Sequence, residues 1–277
     1  MKTEKILSRN AAYQKIQVLK TNRNKRFKSK QFFAEGVRNL NEAVRNGWHI
    51  VSFLYAKERP LSDWAASMLR NVQSDVNYEL LPELMEELSG KEDTSELLAI
   101  VEMREDRFEE IPLSEKPLLA LFDRPSNKGN LGTIIRSCDS LGVDGLILTG
   151  HGVDLYDPSV IASSMGSFFH VPVIRIPEHD RLQHYLKGMK ERYPGFLTVG
   201  TTSHKQRTIY EMDLTVPLLF MIGNETDGLS HGLKDSCDVL ATIPMNERAC
   251  ASSFNVGCAA TVLFYEAVRQ RRIGAMR

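Results

Sequence analysis

Six short apolar runs in the second half of the chain constrain its fold more than any other feature of the sequence. Helical patterns separate the runs, which are LLALFD, GLILTG, VPVIRI, FLTVGT, VPLLFMIG and VLATIP, all within 118–244. Strands that are buried on both faces of a parallel sheet have such near-continuous apolar sequences, because helices cover both faces. The pattern predicts an α/β domain with a mainly parallel sheet.

The first half of the chain predicts a smaller α/β domain. Strand-like segments, namely FFAEG, IVSFLYA, VNYELL and LLAIVEM, alternate with helical patterns between 32 and 103. Ser62 and Pro82 are residue types that favour helix starts. A charged segment with two prolines, REDRFEEIPLSEKP (104–117), follows. We therefore assign residues 1–105 to a first domain, 106–116 to a linker and 117–277 to a second domain.

Positive charge is concentrated at the start of a chain whose net charge is zero, with 35 basic and 35 acidic residues. The first thirty residues contain ten lysines and arginines against one acid, Glu4, a local net charge of +9. Such a segment can contact RNA phosphates, or it can be a solvated helix face. The nearby Phe27, Phe32 and Phe33 favour RNA, although these rings can equally belong to a core.

Composition and motifs argue against several classes of protein. No apolar run approaches the roughly 20 residues that span a bilayer, and the N-terminus lacks the apolar region of a secretory signal. The four cysteines have no C-x-x-C spacing, which gives no indication of zinc or redox sites. His151, Asp154 and Asp157 lie close together, but a turn beside a strand end explains them better than a metal site. We expect a cytosolic protein that is not bound to a membrane and needs no metal.

The first of three polar loops follows the run LLALFD and reads DRPSNKGNLGTIIRS (123–137). Gly129 and Gly132 permit a tight turn into a helix, and Asn130 lies near the expected N-cap. Arg136 follows within the helix, where a guanidinium can hold a phosphate or a carboxylate. Taken alone, a capped turn with a surface arginine explains this loop better. The loop is neither G-x-G-x-x-G nor a P-loop.

Two further polar loops follow apolar strands in the same way. IGNETDGLS (222–230) places Glu225 in a turn, where it can face a ligand or belong to an ordinary turn capped by Ser230. IPMNERACASSFNVGCAA (243–260) places Ser252, Ser253 and Asn255 at the start of the last helix, where capping suffices as an explanation. Capping does not explain why asparagine recurs after three strands, at the sheet edge where ligands bind.

These motifs resemble a known family when they are taken together. N-x-G-x-x-x-R (130–136), GNE-x-x-G-L-S (223–230) and IPM…S-F-N-V (243–256) resemble, in order and spacing, the three motifs of the TrmH/SpoU group of RNA ribose 2′-O-methyltransferases. SSMGSFFHVPV (163–173) resembles the segment between the first two motifs, so the similarity covers about 117–270. The N-terminal part resembles the small, ribosomal-protein-like substrate-binding domain of the same group.

The resemblance implies a deep trefoil knot in the second domain, bound S-adenosylmethionine, and a homodimer that completes each site. It implies catalytic roles for Arg136, Asn130, Glu225, Ser253 and Asn255. It implies cofactor contacts for Gly200, Thr201, Gly223, Asn224, Ile243, Met245 and Phe254. The expected RNA contacts in the basic segment are Arg9, Arg23, Lys25, Arg26 and Lys28.

The expected reaction is methylation of a ribose 2′-hydroxyl in rRNA or tRNA. Because arginine resists deprotonation, we interpret Arg136 as an electrostatic clamp on the developing oxyanion. The proton can leave through Ser253, Glu225 or water. Two alternatives remain: a catalytically inactive RNA-binding or ribosome assembly factor of the same fold, and a methyltransferase that acts on a base nitrogen.

Overall fold

The structure, a computed structural model, describes residues 2–89, 93–204 and 206–275. The chain divides into two compact units, Met1–Arg104 with Asp154–His170, and Glu105–Val153 with Val171–Arg277. The contiguous division expected from the sequence does not include this return of Asp154–His170 to the first unit. The chain therefore passes between the units three times.

The N-terminal part of the first unit is a five-stranded mixed sheet with helices. Its elements are β1 (Thr3–Ile6), α1 (Ala11–Thr21), α2 (Arg23–Ser29), β2 (Gln31–Glu35), α3 (Val37–Arg45), β3 (Ile50–Ala56), α4 (Asp63–Asn71), β4 (Asn77–Leu80), α5 (Pro82–Ser89) and β5 (Leu97–Glu102). The strand order is β1-β4-β3-β5-β2, with β5 antiparallel to both of its neighbours. The predicted alternation of strands and helices is confirmed. β1 was not predicted, because only its last residue, Ile6, is buried.

The remaining elements follow in chain order. They are β6 (Leu118–Asp123), α6 (Lys128–Leu141), β7 (Gly145–Thr149), α7 (Pro158–Ser164), β8 (Val173–Ile176), α8 (His179–Arg192), β9 (Leu197–Thr201), β10 (Arg207–Thr208), β11 (Leu218–Ile222), α9 (His231–Asp235), β12 (Val239–Thr242) and α10 (Val256–Ala275). All except α7 belong to the second unit. Its seven strands pair in parallel in the order β10-β12-β9-β11-β6-β7-β8. The predicted parallel-sheet α/β domain is confirmed.

Helices cover the sheet of the second unit, and this explains its apolar strands. Every residue of β6, β7 and β11 is buried. Leu182 and Leu186 of α8 pack in one core cluster with residues of β6 and β11. Phe264 of α10 lies with its ring centroid 6.1 Å from that of Phe220. Strands so enclosed need an apolar side chain at every position, rather than at alternate positions.

The predicted linker, residues 106–116, belongs to the second unit and packs against other parts of it. The Asp106 carboxylate accepts hydrogen bonds from the backbone N and the guanidinium of Arg175. The Phe108 ring stacks on Tyr185, with ring centroids 3.8 Å apart. Ile111 is buried in the core cluster. The segment is polar in composition, but it is not a free tether.

Residues 154–170 are an integral part of the first unit. Nε1 of Trp48 donates a hydrogen bond of 2.8 Å to the carbonyl oxygen of Phe169. The ring of Phe32, which is fully buried, contacts the rings of Tyr156 and Phe168 at centroid distances of 4.9 and 5.6 Å. Phe32 is thus a core residue that packs on this returning segment.

Candidate active site

The carboxyl ends of four neighbouring strands bring the three polar loops to one edge of the second sheet. β6, β11, β9 and β12 are parallel and adjacent, in the spatial order β12-β9-β11-β6, so their last residues lie along the same edge. Ligands of open α/β sheets bind beyond this edge. The loops that begin there contain most of the site residues predicted from the sequence.

Glu225, in the loop after β11, is bound at the N-terminal end of α6. Its Oε2 accepts hydrogen bonds from the backbone N and the Oγ of Ser126 at 3.0 and 2.6 Å. Its Oε1 accepts from the backbone N of Asn127 at 3.1 Å and from Nδ2 of Asn130 at 3.2 Å. Partial burial raises the pKa of the Glu225 carboxyl, but these donors outweigh burial and the pKa is lowered. The ionised carboxylate therefore complements the positive end of the α6 dipole.

Two asparagines extend this network to the third loop. Nδ2 of Asn255 donates a hydrogen bond of 3.0 Å to Oδ1 of Asn130, so Asn130 links Glu225 to Asn255. Oδ1 of Asn255 accepts from the backbone N of Gly257 at 2.9 Å and of Cys258 at 3.3 Å, which caps the first turn of α10. The side chain of Asn255 thus both caps α10 and belongs to the site.

Asn130 lies near the N-cap of α6, as the sequence predicted, and the N-cap itself is another asparagine. The N-cap is Asn127, whose Oδ1 accepts a hydrogen bond of 3.0 Å from the backbone N of Asn130. Asn130 therefore lies in the first turn of the helix. Because Asn127 performs the capping, the amide of Asn130 can bridge two other loops.

Asn224 shapes the turn that carries Glu225. Asn224 and Gly228 exchange two backbone hydrogen bonds of 3.1 and 3.0 Å. Oδ1 of Asn224 accepts from the backbone N of Thr226 at 2.8 Å and of Asp227 at 3.1 Å. Its Nδ2 donates to the carbonyl oxygen of Arg124 at 2.7 Å. Both ends of the Asn224 amide are thus engaged within the protein, and a direct bond from it to a cofactor stays a prediction.

Packing within the protein explains two glycines that the sequence assigned to the cofactor. A Cβ at Gly223 would lie 2.3 Å from the backbone N of Leu229. A Cβ at Gly200 would lie 2.5 Å from Sγ of Cys237 and 2.7 Å from Cδ2 of Leu240. A side chain at Gly223 would clash with the backbone, and one at Gly200 would require Cys237 and Leu240 to move, whatever binds there. Contact of their backbone with a cofactor stays a prediction.

The other cofactor candidates offer apolar atoms at the same edge of the sheet. Thr201 is the last residue of β9 and is half-buried. Ile243 and Met245, in the loop after β12, are also half-buried. Phe254, just before α10, leaves 44% of its surface exposed. An exposed phenylalanine in a polar loop is surface that a ligand could cover.

Arg136 and Ser253 are the two catalytic candidates that lie outside the Glu225–Asn130–Asn255 network, and both are exposed. Neither side chain forms a hydrogen bond or an ion pair within the described parts of the chain. Arg136 lies on α6 next to Ser137, whose Oγ is 2.7 Å from Oγ1 of Thr261 on α10. α6, which contacts α10 here, thus carries a guanidinium that is available to a ligand.

The prediction that Arg26 contacts RNA is wrong. Arg26 is 2% exposed, and its guanidinium forms a buried ion pair of 2.7 Å with Asp154. Its Nη1 also donates to the carbonyl oxygens of Leu19 and Lys20 at 2.7 and 3.1 Å. Since a buried charge must be paired, Asp154 and Arg26 stabilise the fold of the first unit.

The other basic candidates of the first unit divide into two pairs. Arg9 forms an ion pair with Glu87. The guanidinium of Arg23 lies 5.5 Å from the centroid of the Phe27 ring. Two candidates are exposed and have no partner among the residues that the structure describes: Lys25 and Lys28. An RNA contact through any of the four stays a prediction.

Asp123 and Arg124, at the end of β6 where the first polar loop begins, were not predicted from the sequence as site residues. Asp123 ends β6 and is 2% exposed. Its Oδ2 accepts from the backbone N of Ser230 at 2.9 Å, and its Oδ1 accepts from Oγ1 of Thr149 at 3.1 Å. The sequence did contain a signal for Asp123, namely an acidic residue at the end of an apolar strand. Such a residue is costly to bury unless it binds hydrogen-bond donors.

The two acids of the group His151, Asp154 and Asp157 have structural partners. Asp154 pairs with Arg26, and Oδ1 of Asp157 accepts from the backbone N of Ser159 at 2.9 Å as the cap of α7. No group of three or more His, Cys, Asp or Glu side chains within 2–89, 93–204 and 206–275 could hold a metal ion. In the same ranges, no helix is both long and apolar enough to cross a membrane.

Two family models match the chain. Residues 117–265 match the SpoU rRNA Methylase family, and residues 10–99 match the SpoU L30e-like domain. The first match contains all three polar loops, and the second lies within the first unit.

Individual relatives agree with these matches. The "23S rRNA (uridine(2479)-2'-O)-methyltransferase" of Streptomyces viridochromogenes is 42% identical over 98% of this chain and 93% of its own length. The crystal structure of the SpoU methyltransferase AviRb from S. viridochromogenes, in complex with the cofactor AdoMet, has a TM-score of 0.90 and 42% identity and covers 95% of this chain and 99% of that one. An AdoMet-bound rRNA methyltransferase from Sinorhizobium meliloti has a TM-score of 0.81 and 26% identity, covering 96% of this chain and 98% of that one.

Proposed function

Because the chain belongs to the SpoU rRNA methylase family, we propose that it transfers a methyl group from S-adenosylmethionine to a ribose 2′-hydroxyl of ribosomal RNA. The resemblance to the TrmH/SpoU group that the motifs predicted is confirmed. The observation that carries the proposal is the hydrogen-bonded chain Glu225–Asn130–Asn255, which joins the three motif loops. A ribosomal RNA substrate implies a cytoplasmic protein.

The residues at the carboxyl edge of the sheet fit S-adenosylmethionine. Ile243, Met245 and Phe254 offer partly exposed apolar surface for an adenine ring. Backbone groups near Gly200, Thr201, Gly223 and Asn224 would hold the polar parts of the cofactor. When it is bound, the cofactor supplies an electrophilic methyl group on a sulfonium ion.

Arg136 would act on the RNA substrate by electrostatics. Its guanidinium is exposed and has no partner in the described chain, so it can bind a phosphate beside the target ribose. Arginine keeps its proton at any physiological pH. It therefore stabilises negative charge as it develops on the 2′-oxygen, which is the contribution of a preorganised donor.

Glu225 is a poor candidate for the base that removes the hydroxyl proton. Its two carboxylate oxygens already accept four hydrogen bonds, and these donors lower its pKa. An effective base has a pKa near the working pH. We therefore favour a route through the exposed hydroxyl of Ser253 to water, and assign Glu225 to positioning.

A homodimer is the second part of the proposal. α10 exposes apolar side chains at helical spacing, among them Val262 and Tyr265, with 38% and 57% of their surfaces exposed. They lie on α10, which contacts α6, the helix that carries Arg136. A second copy that covers them would exclude water from the site. Sedimentation at micromolar concentration would test this, with a dimer expected for the wild type and a monomer for Tyr265→Glu.

The trefoil knot also stays a prediction. From β11 the chain passes β9 to reach β12, and it then returns to α6, where Asn255 meets Asn130. A knot would further require the chain to thread a loop, which connections in ordinary folds do not do. We also propose that Lys25 and Lys28 contact the RNA substrate.

Methylation of purified RNA tests the proposed function. The full chain would be incubated with methyl-labelled S-adenosylmethionine and unmodified 23S rRNA or tRNA, and the RNA would be digested to nucleosides. We expect label in one 2′-O-methylnucleoside from rRNA. Label in a base would favour a base methyltransferase. RNA binding without label, at saturating cofactor, would favour the inactive assembly factor.

A further inference from the structure

Arg124 clamps the turn that presents Glu225, and we propose that it is a positioning residue for methyl transfer. The inference rests on the proposed function only for the reaction, because the clamp itself is a feature of the fold. Arg124 follows β6 directly, on the side of the strand end that faces the loop after β11. None of the three motifs contains it.

The backbone of Arg124 adopts a conformation that favours glycine. Its φ is +49°, in the left-handed region that arginine rarely occupies. In this conformation its N donates to the carbonyl oxygen of Thr149 at 3.0 Å, and its own carbonyl accepts from Nδ2 of Asn224 at 2.7 Å. In this conformation the backbone of Arg124 thus connects the end of β7 to the start of the turn.

The side chain of Arg124 binds the other end of the same turn. Its Nη2 donates to the carbonyl oxygen of Gly228 at 2.9 Å, and its Nη1 lies 3.6 Å from Oδ2 of Asp227. Its Nε donates to Oδ2 of Asp123 at 3.1 Å. Since Asp123 also binds the backbone N of Ser230, the pair Asp123–Arg124 holds the turn from its first residue to the residue that precedes α9.

The neighbouring strand end leaves room for this clamp. Gly150 follows β7 with a φ of +63°, and a Cβ there would lie 2.5 Å from Cγ of Arg124. The aliphatic part of Arg124 therefore occupies the space of a missing side chain. A left-handed arginine packed against a left-handed glycine indicates a position fitted to this side chain, because glycine at 124 would adopt the same φ without strain.

The clamp acts on the site through Glu225. The turn between Asn224 and Gly228 presents Glu225 to the first turn of α6, and Glu225 holds Asn130 there. A shift of the turn would move Asn130 and with it Asn255. Misplacement of reacting groups by about 1 Å can cost roughly a hundredfold in rate, so a residue that only fixes the turn can affect turnover strongly.

Amide hydrogen exchange of the full chain, followed by single-turnover methylation, tests the inference. Arg124→Gly keeps the backbone conformation and removes the clamp, and Arg124→Lys keeps the charge but can bind only one end of the turn. We expect faster exchange in peptides covering 223–230 for Arg124→Gly, and an about tenfold to hundredfold slower rate at saturating cofactor and RNA. Arg124→Lys should lie between Arg124→Gly and the wild type. Affinity for RNA should not change.

Glu58→Gly is the matched control. Glu58 is an exposed residue of the first unit that also has a positive φ, +63°, so this variant should exchange and react as the wild type does. Unchanged exchange at 223–230 in Arg124→Gly would overturn the clamp, whether or not the protein is active. Faster exchange with a wild-type rate would overturn the positioning role. If the wild type methylates no RNA, the proposed function fails, and the exchange data still decide whether the clamp exists.

Discussion

The two units differ in how they hold the arginines that the sequence marked as functional. In the first unit, Arg26 is buried and bound to Asp154. In the second, Arg136 is exposed and has no partner within the described chain. Both were predicted to contact RNA or to act on it. The difference teaches that the role of an arginine depends on the residues that the fold places beside it. The charge of the surrounding sequence is a weaker guide.

Removal of the buried arginine should have the largest effect on stability. Arg26→Ala leaves the Asp154 carboxylate buried without its cation, and breaking a buried pair in this way typically costs about 3–5 kcal/mol. We expect that loss in the free energy of unfolding, measured with urea. Lys25→Ala, one residue earlier and exposed, is the control and should stay within about 0.5 kcal/mol of the wild type.

A double variant sharpens the same prediction. In Arg26→Met/Asp154→Leu the buried ion pair is replaced by apolar side chains, and only the partly exposed Asp157 carboxylate, 3.8 Å from Arg26 in the wild type, keeps a charge nearby, so most of the lost stability should return. If Arg26→Ala is as stable as the control, the guanidinium is not committed to the fold, and the contrast with Arg136 disappears.

Glu225→Gln should have a smaller effect, because Glu225 is only half-buried. The amide cannot accept all four hydrogen bonds that the carboxylate accepts, and unmet donors cost about 1–3 kcal/mol, here toward the lower end. Because the folded-state pKa of Glu225 is lowered, its contribution is present above its ordinary pKa and is lost as pH falls through the folded pKa. Urea unfolding at pH 7 and pH 3 would show a smaller difference between Glu225→Gln and the wild type at pH 3. Equal differences at both pH values would contradict this role.

The exposed lysines of α2 should affect RNA binding and leave stability unchanged. Each phosphate contact contributes about 1 to the slope of log affinity against log salt. The variant Lys25→Ala/Lys28→Ala should therefore reduce the magnitude of that slope by about 2. Binding to 23S rRNA fragments would measure it. Lys187→Ala, an exposed lysine of α8, should leave the slope unchanged. An unchanged slope in the double variant would remove α2 from the RNA-binding surface.

His49 should contribute the smallest effect. Hydrogen bonds to Glu102 and Asp75 raise the pKa of the imidazole, although its partial burial opposes them. The stability it contributes is therefore complete below its ordinary pKa and is lost as pH rises through the folded pKa. The pair is exposed, so we expect less than about 1 kcal/mol. Unfolding at pH 5.5 and 8.5 checks this, since His49→Ala should reduce the difference between the two.

The sequence predicted the strands well and their edges poorly. β3 and β6 match the apolar runs to the residue, because a strand buried on both faces leaves an unambiguous pattern. β10 has two residues, Arg207 and Thr208, at the edge of its sheet, and such a segment carries no pattern. Short polar edge strands depend on the neighbours to which they bind.

The sequence predicted the site partly, and long-range contacts explain the rest. Asn130, Glu225 and Asn255, which the family resemblance grouped, are neighbours in the structure, because parallel strands end at one edge. The burial of Arg26 could not be predicted, since Asp154 lies 128 residues away in a segment that the sequence placed in the other domain. Arg124 was missed because its role depends on φ and on Gly150, which no local pattern shows.

Single-turnover methylation by Arg136→Ala, at saturating cofactor and RNA, tests the central claim most directly. Loss of one preorganised electrostatic donor typically lowers the rate about 10²- to 10³-fold, and we expect that loss with unchanged stability and cofactor affinity, because the side chain has no partner among the residues that the structure describes. Arg136→Lys keeps the charge without the planar fork, so it should be nearly as slow. A wild-type rate for Arg136→Ala, or a loss of stability like that expected of Arg26→Ala, would contradict the account.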